Sequence, residues 1–243
     1  MLEKIEGIVV SETSYGESSK IINILTLDYG IVGIMAKGAK KVKSEFRTLT
    51  SKLTYAYFHV YYKKDKLSTL VAIDKIDTFK NITKDITLIS YATFLLDLSE
   101  QVMRHSGSNE VFKILISALK KINDKYDPLV ITNIVELKYL KLLGVMPVLE
   151  HCAGCGSTNN IVTLSNIKGG YICSNCHTSE RLVMSDTLKF IRGFYYIDID
   201  KISKLEIDSK IKNEINTFLD DYYDTYTGIY LKSKDFLKNL NKL

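Results

Sequence analysis

Four cysteines form the most distinctive chemical pattern in this sequence of 243 residues. They occur as two Cys-x-x-Cys pairs with 17 residues between the pairs. Each pair can form a tight knuckle whose backbone amides turn toward the thiolates, and two knuckles supply the four soft ligands of a tetrahedral zinc site. The spacer lies within the range of zinc ribbons. The sequence therefore predicts one zinc ion, Zn²⁺, bound by Cys152, Cys155, Cys173 and Cys176.

Three other uses of the cysteines stay open at this point. Two disulfides require an oxidising compartment, and no export signal is visible in the sequence. A thioredoxin-like redox site needs only one pair, between a strand and a helix. An iron–sulfur cluster has cysteine ligands too, although its common spacings differ. His151 and His177 flank the quartet and could replace a cysteine, but four thiolates already suffice.

The predicted zinc ion is expected to be structural. Sites with four cysteine ligands are closed, whereas catalytic zinc keeps one position for water or substrate. The sequence contains no phosphate loop of the GxxxxGK[ST] type, and no GxSxG, HExxH or GxGxxG motif. His59 and His105 have no obvious nucleophile beside them in the sequence. We therefore expect no catalytic residues and no enzymatic activity.

Basic residues are concentrated in the first third of the chain. The whole protein has 33 Lys and Arg against 28 Asp and Glu, a formal net charge of +5. The run from Lys37 to Lys52, here called the basic loop, holds six basic residues and one acidic residue, Glu45. Most such runs are only solvated surface, but nearby acids usually dilute them, and here they do not. The predicted DNA-binding residues are Lys37, Lys40, Lys41, Lys43 and Arg47.

The basic loop lies within a segment that is typical of β structure. Five short runs rich in Ile, Val, Thr, Tyr and Phe alternate with turn residues. Five strands in about eighty residues suit a small closed barrel of the OB type, which leaves no exposed sheet edge. The basic loop would then connect the third strand to the fourth. The predicted strands are Ile5–Ser11, Lys20–Leu27, Ile31–Ala36, Leu53–Tyr62 and Thr69–Phe79.

After Phe79 the apolar period changes from two to about 3.6, which indicates helices. Three helices precede the cysteines and up to three follow them, so the cysteine segment reads as an insertion in a helical domain. Asp127-Pro128 is a typical helix start, and Gly107 and Gly144 are typical stops. The predicted fold class is α+β and multidomain. The predicted parts are an OB-fold barrel (1–80), a helical domain (81–148 and 183–243) and an inserted four-cysteine zinc ribbon (149–182).

The composition favours a folded, water-soluble protein. Hydrophobic residues make up 46% and charged residues 25% of the chain. No apolar stretch approaches the length of a membrane span, and the start alternates charge where a signal peptide would be apolar. We expect a cytoplasmic protein, associated with the nucleoid if it binds DNA.

Several segments of the sequence resemble one known family in the right order. They are GIVVSETSYGESSKI (7–21), TLDYGI (26–31) and KGAKKVKS (37–44), then LKYLKLLGVMP (137–147) followed by the first cysteine pair. The sequence is identified on these motifs as similar to the RecO family of bacterial recombination-repair mediators. The resemblance covers most of the chain, from barrel through helices and ribbon to helices.

The resemblance implies a function in DNA repair and recombination without a covalent step. It implies binding of single- and double-stranded DNA, annealing of complementary strands and a partnership with RecR. It also implies contact with the C-terminal tail of single-stranded DNA-binding protein (SSB) and help in loading RecA, in the pathway that includes RecF. The resemblance also implies that the predicted DNA-binding residues of the basic loop contact DNA and that the four cysteines bind zinc. No short motif here marks a pocket for the SSB tail.

The residues agree with sequence-tolerant DNA binding. Lysines meet phosphates as point charges and release counterions, so affinity should fall steeply with salt. Only four of the 33 basic residues are Arg, so bidentate contacts to guanine are scarce. An alternative function is a zinc-ribbon and OB adaptor protein of the translation or transcription machinery that binds RNA. That alternative predicts a preference for RNA over single-stranded DNA.

Overall fold

The barrel predicted from the sequence is present in the structure, a computed structural model that describes residues 1–240. Five strands close in the order β1-β2-β3-β5-β4, the strand order of an OB fold, and this confirms the predicted fold class. All pairs are antiparallel except β3 with β5. The strands are β1 Leu2–Tyr15, β2 Ser19–Thr26, β3 Ile31–Ala36, β4 Tyr55–Tyr61 and β5 Ser68–Asp77.

One long strand allows the barrel to close. The first half of β1 pairs with β4 and the second half with β2, and the register shifts between Val9 and Ser11. Such a bulge bends a strand, so β1 can serve two neighbours. The closing contact is a short parallel pairing of Ile34 with Ser68 and Met35 with Thr69.

Alternate side chains of the strands fill the barrel. Ile22 and Ile24 of β2, Ile34 of β3 and Phe58 of β4 are fully buried in one cluster. This period of two is the pattern that the sequence showed, because successive residues of a strand point to opposite faces. Burial of each such side chain contributes roughly 1.5–3 kcal/mol.

Seven α-helices surround or follow the barrel in the described residues. They are α1 Phe46–Leu49, α2 Ile86–Ser106, α3 Glu110–Asn123, α4 Pro128–Leu142, α5 Ser185–Tyr196, α6 Ser209–Tyr226 and α7 Lys232–Leu240. Two short 3₁₀ turns, Ile82–Lys84 and Ile199–Lys201, accompany them. A two-stranded ribbon, β6 Ile161–Ser165 and β7 Gly170–Cys173, lies between α4 and α5. Helix α1 was not predicted, because a helix of only one turn shows no apolar period in the sequence.

Helix ends follow the expected capping chemistry. The Asp127 carboxylate accepts hydrogen bonds from the backbone N–H of Leu129 (2.9 Å) and Val130 (3.2 Å), with Pro128 in the first turn. Gly107 ends α2 with a φ of 62°, the left-handed conformation that glycine adopts without a penalty.

The chain forms two compact units. One unit comprises Met1–Asn123 together with the described residues 231–240, and the other comprises Asp124–Tyr230. In the first unit, α2 packs against α3 and α7. In the second, α4 packs against α5 and α6 and is buried along most of its length. These units describe packing, and the three domain boundaries given above, after residues 80, 148 and 182, stay a prediction.

Candidate nucleic-acid surface and metal centre

The basic loop connects β3 to β4, as predicted, and it is anchored to the barrel at two points. Ala39 is fully buried in the barrel core, and the half-buried ring of Phe46 packs against the same core. Between these anchors, consecutive turns are held by backbone hydrogen bonds from Lys41 to Gly38 (3.1 Å) and from Ser44 to Lys41 (3.0 Å). The loop is therefore a folded segment in which Ala39 and Phe46 face the core, while Val42 between them is exposed.

The beginning of the loop is also tied to the β1–β2 turn. The backbone N–H of Lys40 donates to the carbonyl of Ser18 (2.9 Å), and that of Gly38 donates to the Ser19 hydroxyl (3.3 Å). The Lys40 ammonium lies 3.4 Å from the Gly16 carbonyl oxygen. These contacts fix the position at which the loop leaves the barrel.

The cations of the loop are largely accessible to solvent. Lys37, Lys41, Lys43 and Arg47 are exposed and Lys40 is half-buried. Within residues 1–240, none of the five forms an ion pair within 4 Å with a carboxylate. Lys52 differs, because its ammonium pairs with Asp97 at 2.8 Å. The structure thus brings the five predicted DNA-binding residues together with their charges unneutralised.

Three aromatic residues of the barrel region could stack on bases, and the structure separates them. Phe46 is an anchor of the loop and faces the core. Tyr15, at the end of β1, is exposed. Tyr29 is also exposed, with its ring centroid 4.8 Å from that of Tyr62.

The four cysteines converge on one point, as the spacing predicts. Their four Sγ atoms all lie within 4.8 Å of one another, and Cys155 Sγ is 3.7 Å from Cys173 Sγ. A Zn–S distance of about 2.3 Å places tetrahedral sulfur ligands about 3.8 Å apart. The distance is far beyond the about 2.05 Å of a disulfide bond, and all four cysteines are free. Four sulfurs in this arrangement could bind a metal ion.

Backbone hydrogen bonds shape both knuckles. Cys152 donates its N–H to the Ser157 carbonyl (2.7 Å) and accepts at its own carbonyl from Gly156 (2.8 Å). In the second knuckle the Cys173 carbonyl accepts from Cys176 (3.1 Å). A side chain at Gly154 would place its Cβ only 3.1 Å from Cys176 Sγ, so this position favours glycine.

The surroundings of Cys152 and Cys176 shift the pKa values of these two thiols in opposite directions. Burial raises the pKa of Cys152, but hydrogen bonds from the backbone N–H groups of Cys173, Cys155 and Gly154 outweigh it and lower the pKa to about 6. Hydrogen bonding to the other three cysteines raises the pKa of Cys176 to about 12. Thiolates this close repel one another, and a divalent cation would compensate that repulsion. The donor set therefore fits a soft divalent metal ion.

The neighbouring histidines are engaged elsewhere. His177 Nε2 lies 2.8 Å from the Glu180 carbonyl oxygen, and His151 Nδ1 lies 3.3 Å from the carbonyl oxygen of Cys152. Neither belongs to the group of ligand atoms that converge.

The ribbon that carries the cysteines is braced by the helices of its own unit. The Tyr171 hydroxyl donates to the Leu188 carbonyl of α5, and the Tyr226 hydroxyl of α6 donates to the Asn166 carbonyl at 2.7 Å. Gly170 and Val148 pair through a parallel bridge, in which the backbone N–H of Tyr171 donates to the Val148 carbonyl at 2.9 Å. The metal centre is thus part of the packing of this unit.

Among residues 1–240, no helix combines the length and the apolar character that crossing a membrane requires.

Comparison with known proteins gives consistent matches along the chain. The family model described as Recombination protein O N terminal matches residues 1–79, and the one described as Recombination protein O C terminal matches residues 83–235. DNA repair protein RecO of Listeria monocytogenes serotype 4b is 34% identical over 245 residues, covering 99% of this chain and 96% of that protein. DNA repair protein RecO of Bacillus velezensis is 35% identical over 247 residues, covering 100% and 96%. DNA repair protein RecO of Bacillus pumilus is 33% identical over 247 residues with the same coverage.

Proposed function

The chain belongs to the RecO family of DNA repair and recombination proteins, and from this premise we propose that it is a recombination mediator that acts by binding DNA, without covalent chemistry of its own. The observation that carries the proposal is the basic loop. Five cations lie together on one loop of the barrel, and no carboxylate of residues 1–240 pairs with them. Phosphates are the natural counterions for such a surface.

Annealing follows from the same surface. Two complementary strands repel each other through their phosphates, and a basic loop that contacts both lowers that repulsion. Lysines dominate the loop, so it neutralises charge without reading bases, and any sequence can be paired. We propose binding to single- and double-stranded DNA through Lys37, Lys40, Lys41, Lys43 and Arg47.

Further partners follow from family membership. We propose that the protein acts with RecR, contacts the C-terminal tail of SSB, and helps to load RecA onto SSB-coated single strands, in the pathway that includes RecF. The expected location is the cytoplasm, in association with the nucleoid.

For the metal centre we propose one structural zinc ion held by Cys152, Cys155, Cys173 and Cys176. The supporting observations are the all-sulfur donor set and the convergence of its atoms. Bound zinc would neutralise the thiolates and tie the two knuckles together. Quantification of metal in the purified protein should give one zinc per chain, released when a mercurial reagent modifies the thiols.

The function is tested by the annealing rate of two complementary oligonucleotides, bare and coated with SSB, at low and high salt. We expect acceleration that persists on coated strands and fades with salt. No acceleration by folded, zinc-loaded protein would overturn the mediator proposal. A preference for RNA in the same assay would favour the adaptor function instead.

A further inference from the structure

The end of the barrel opposite the basic loop carries a second cationic surface. The basic loop follows β3 beside the β1–β2 turn, whereas the β2–β3 turn and the β4–β5 turn lie at the other end of the strands. The strand β2, eight residues long, separates the two ends by about 25 Å. We call this second surface the tyrosine–lysine end; its residues are Tyr29, Tyr61, Tyr62, Lys63, Lys64 and Lys66.

Its aromatic rings are both exposed and supported. Tyr62 packs partly against the barrel core, and its backbone N–H donates to the Met1 carbonyl at 3.0 Å. The Tyr29 ring rests on Tyr62 at a centroid distance of 4.8 Å and is 42% exposed. Tyr61 is 55% exposed on the same strand end. The fixed Tyr62 ring therefore holds Tyr29 in place with part of its surface open to solvent.

The lysines lie on a tight turn next to these rings. The backbone N–H of Lys63 donates to the Ser68 hydroxyl at 3.1 Å, and that of Lys66 donates to the Lys63 carbonyl at 3.4 Å. Lys63, Lys64 and Lys66 are exposed, and in the described part of the chain none forms an ion pair within 4 Å. Asp65 is the one acidic residue of this turn, and exposed Asp28 beside Tyr29 is the acidic residue of the β2–β3 turn, so the two turns together carry a net charge of +1.

From this arrangement we infer that the tyrosine–lysine end binds single-stranded DNA, with an unpaired base stacking on Tyr29 and the adjoining phosphates on the three lysines. Open aromatic rings beside unneutralised lysines are the combination that single strands need. A duplex offers phosphates to the lysines, but its bases are already stacked inside. This inference rests on the proposed function and adds to the basic loop a second DNA-binding surface, which is selective for unpaired strands.

Part of this site is visible in the sequence as a short run outside the basic loop. The pattern Tyr-Tyr-Lys-Lys-Asp-Lys spans residues 61–66. Tyr29 lies more than thirty positions earlier in the chain, and only the pairing of the strands brings it beside Tyr62.

The test compares full-length variants in binding to a single-stranded oligothymidine and to a duplex of equal length. In the triple variant Lys63→Gln, Lys64→Gln and Lys66→Gln, the slope of log affinity against log salt on the single strand should fall by about 2, since each lost phosphate contact contributes about 0.7. The matched control, Lys80→Gln with Lys113→Gln and Lys120→Gln, removes the same charge from exposed positions of the same unit and should leave the slope nearly unchanged.

Tyr29→Leu tests the stacking contact separately. Loss of one base–aromatic contact should weaken single-strand binding about tenfold and leave duplex binding nearly unchanged. Tyr29→Phe keeps the ring and should bind like the parent protein. Thermal unfolding of each variant separates a binding defect from a folding defect; Tyr29→Leu keeps an apolar side chain beside Tyr62, so only a small loss of stability is expected.

Three results would overturn the inference. They are a salt slope of the triple variant equal to that of its control, parental single-strand affinity in Tyr29→Leu, and equal loss on duplex and single strand in Tyr29→Leu. In the second case the exposed rings would serve a protein partner instead. The proposed function would still stand if Lys40→Glu with Lys41→Glu lost DNA binding, so the two failures are distinguishable.

Discussion

The basic loop and the four-cysteine centre use charge in opposite ways. In the loop, apolar anchors face the barrel and like charges point to solvent. In the metal centre, the sulfurs point at one another, and Cys152 and Cys173 are buried. Exposed cations are screened and cost the fold little, whereas clustered thiolates require a counterion for folding. The charges of the loop are therefore expected to tolerate change with little effect on the fold, and the four cysteines are not.

The largest effect is expected from the metal centre. Cys173→Ser with Cys176→Ser should abolish zinc binding and lower the free energy of unfolding of its unit by several kcal/mol, since structural zinc contributes on the order of 10 kcal/mol in small zinc domains. DNA affinity of protein that stays folded should change little. Metal quantification, thermal unfolding and DNA binding measure the three quantities.

His151→Ala is the matched control for the cysteine variant, because His151 lies next to Cys152 but outside the group of sulfurs. It should keep one zinc ion per chain and its stability. A folded cysteine variant that lost DNA affinity as strongly as a loop variant would show that the contrast between the two regions is wrong.

A smaller loss of stability is expected from Gly170→Ala. Gly170 has a φ of 154°, and an added Cβ would lie 2.3 Å from the Val148 carbonyl oxygen. The backbone must shift to relieve that clash, at a cost of about 2–4 kcal/mol. Gly193→Ala, a helical position with open space around the new Cβ, should be neutral or slightly stabilising. Chemical denaturation curves of both variants check the difference.

Variants of the basic loop should lose DNA affinity and keep their stability. Lys40→Glu with Lys41→Glu should weaken DNA binding about 10- to 100-fold at low salt, with a difference that shrinks as salt rises, because electrostatic contacts are screened. The annealing rate should fall in parallel, while the melting temperature stays near the parental value. Equal annealing rates in the variant and the parent would contradict the assignment of the loop.

Lys113→Glu with Lys120→Glu supplies the control for that experiment, since it reverses the same charge on exposed positions of α3. A loss of affinity as large as in the loop variant would mean that overall net charge decides DNA binding, and position does not.

The smallest effect concerns an ion pair that braces the second knuckle. Lys168 donates to the Cys176 carbonyl at 2.8 Å and pairs with Glu180 at 2.8 Å. The hydrogen bond that the Lys168 ammonium donates to the Glu180 carboxylate, together with one from the Thr178 backbone N–H, holds the pKa of Glu180 well below its usual range. A lowered pKa means that the contribution to stability is present above the ordinary pKa and is lost as the pH falls below it. Glu180→Gln should therefore cost less than about 1 kcal/mol at pH 7, and the difference from the parent should begin to shrink only below about pH 4 and continue to shrink as the pH falls towards the lowered pKa of Glu180. A difference that grew on acidification would contradict this account.

Local patterns in the sequence predicted many of the strands and helices. The run Ile31–Ala36 is apolar between Gly30 and Lys37 and forms β3 with those bounds. The Asp127-Pro128 start was equally readable, because a cap and its helix are neighbours in sequence. The knuckle formed by each Cys-x-x-Cys pair was predictable for the same reason, since it closes within a few residues.

Contacts between segments that are distant in the chain were harder to predict from the sequence. The bounds of β1 were predicted too short, because the apolar alternation weakens beyond Ser11 and only pairing with β2 extends the strand to Tyr15. The grouping of α7 with α2, and of α5 and α6 with α4, depends on packing of helix faces far apart in the chain. Equivalent amphipathic stripes do not indicate which partner each will meet.

The sequence alone determined the chemistry of this protein: a sulfur quartet suited to zinc, a lysine-rich loop suited to phosphate, and the order of strands and helices that hold them. Residue type and short-range spacing encode these features, because knuckles, caps and strand alternation are local. Only the tertiary structure decided which loop cations are unpaired, that Phe46 faces inward, and that Tyr29 meets Tyr62 beside a second group of lysines. Those facts depend on closing the barrel, which brings together side chains from separate strands.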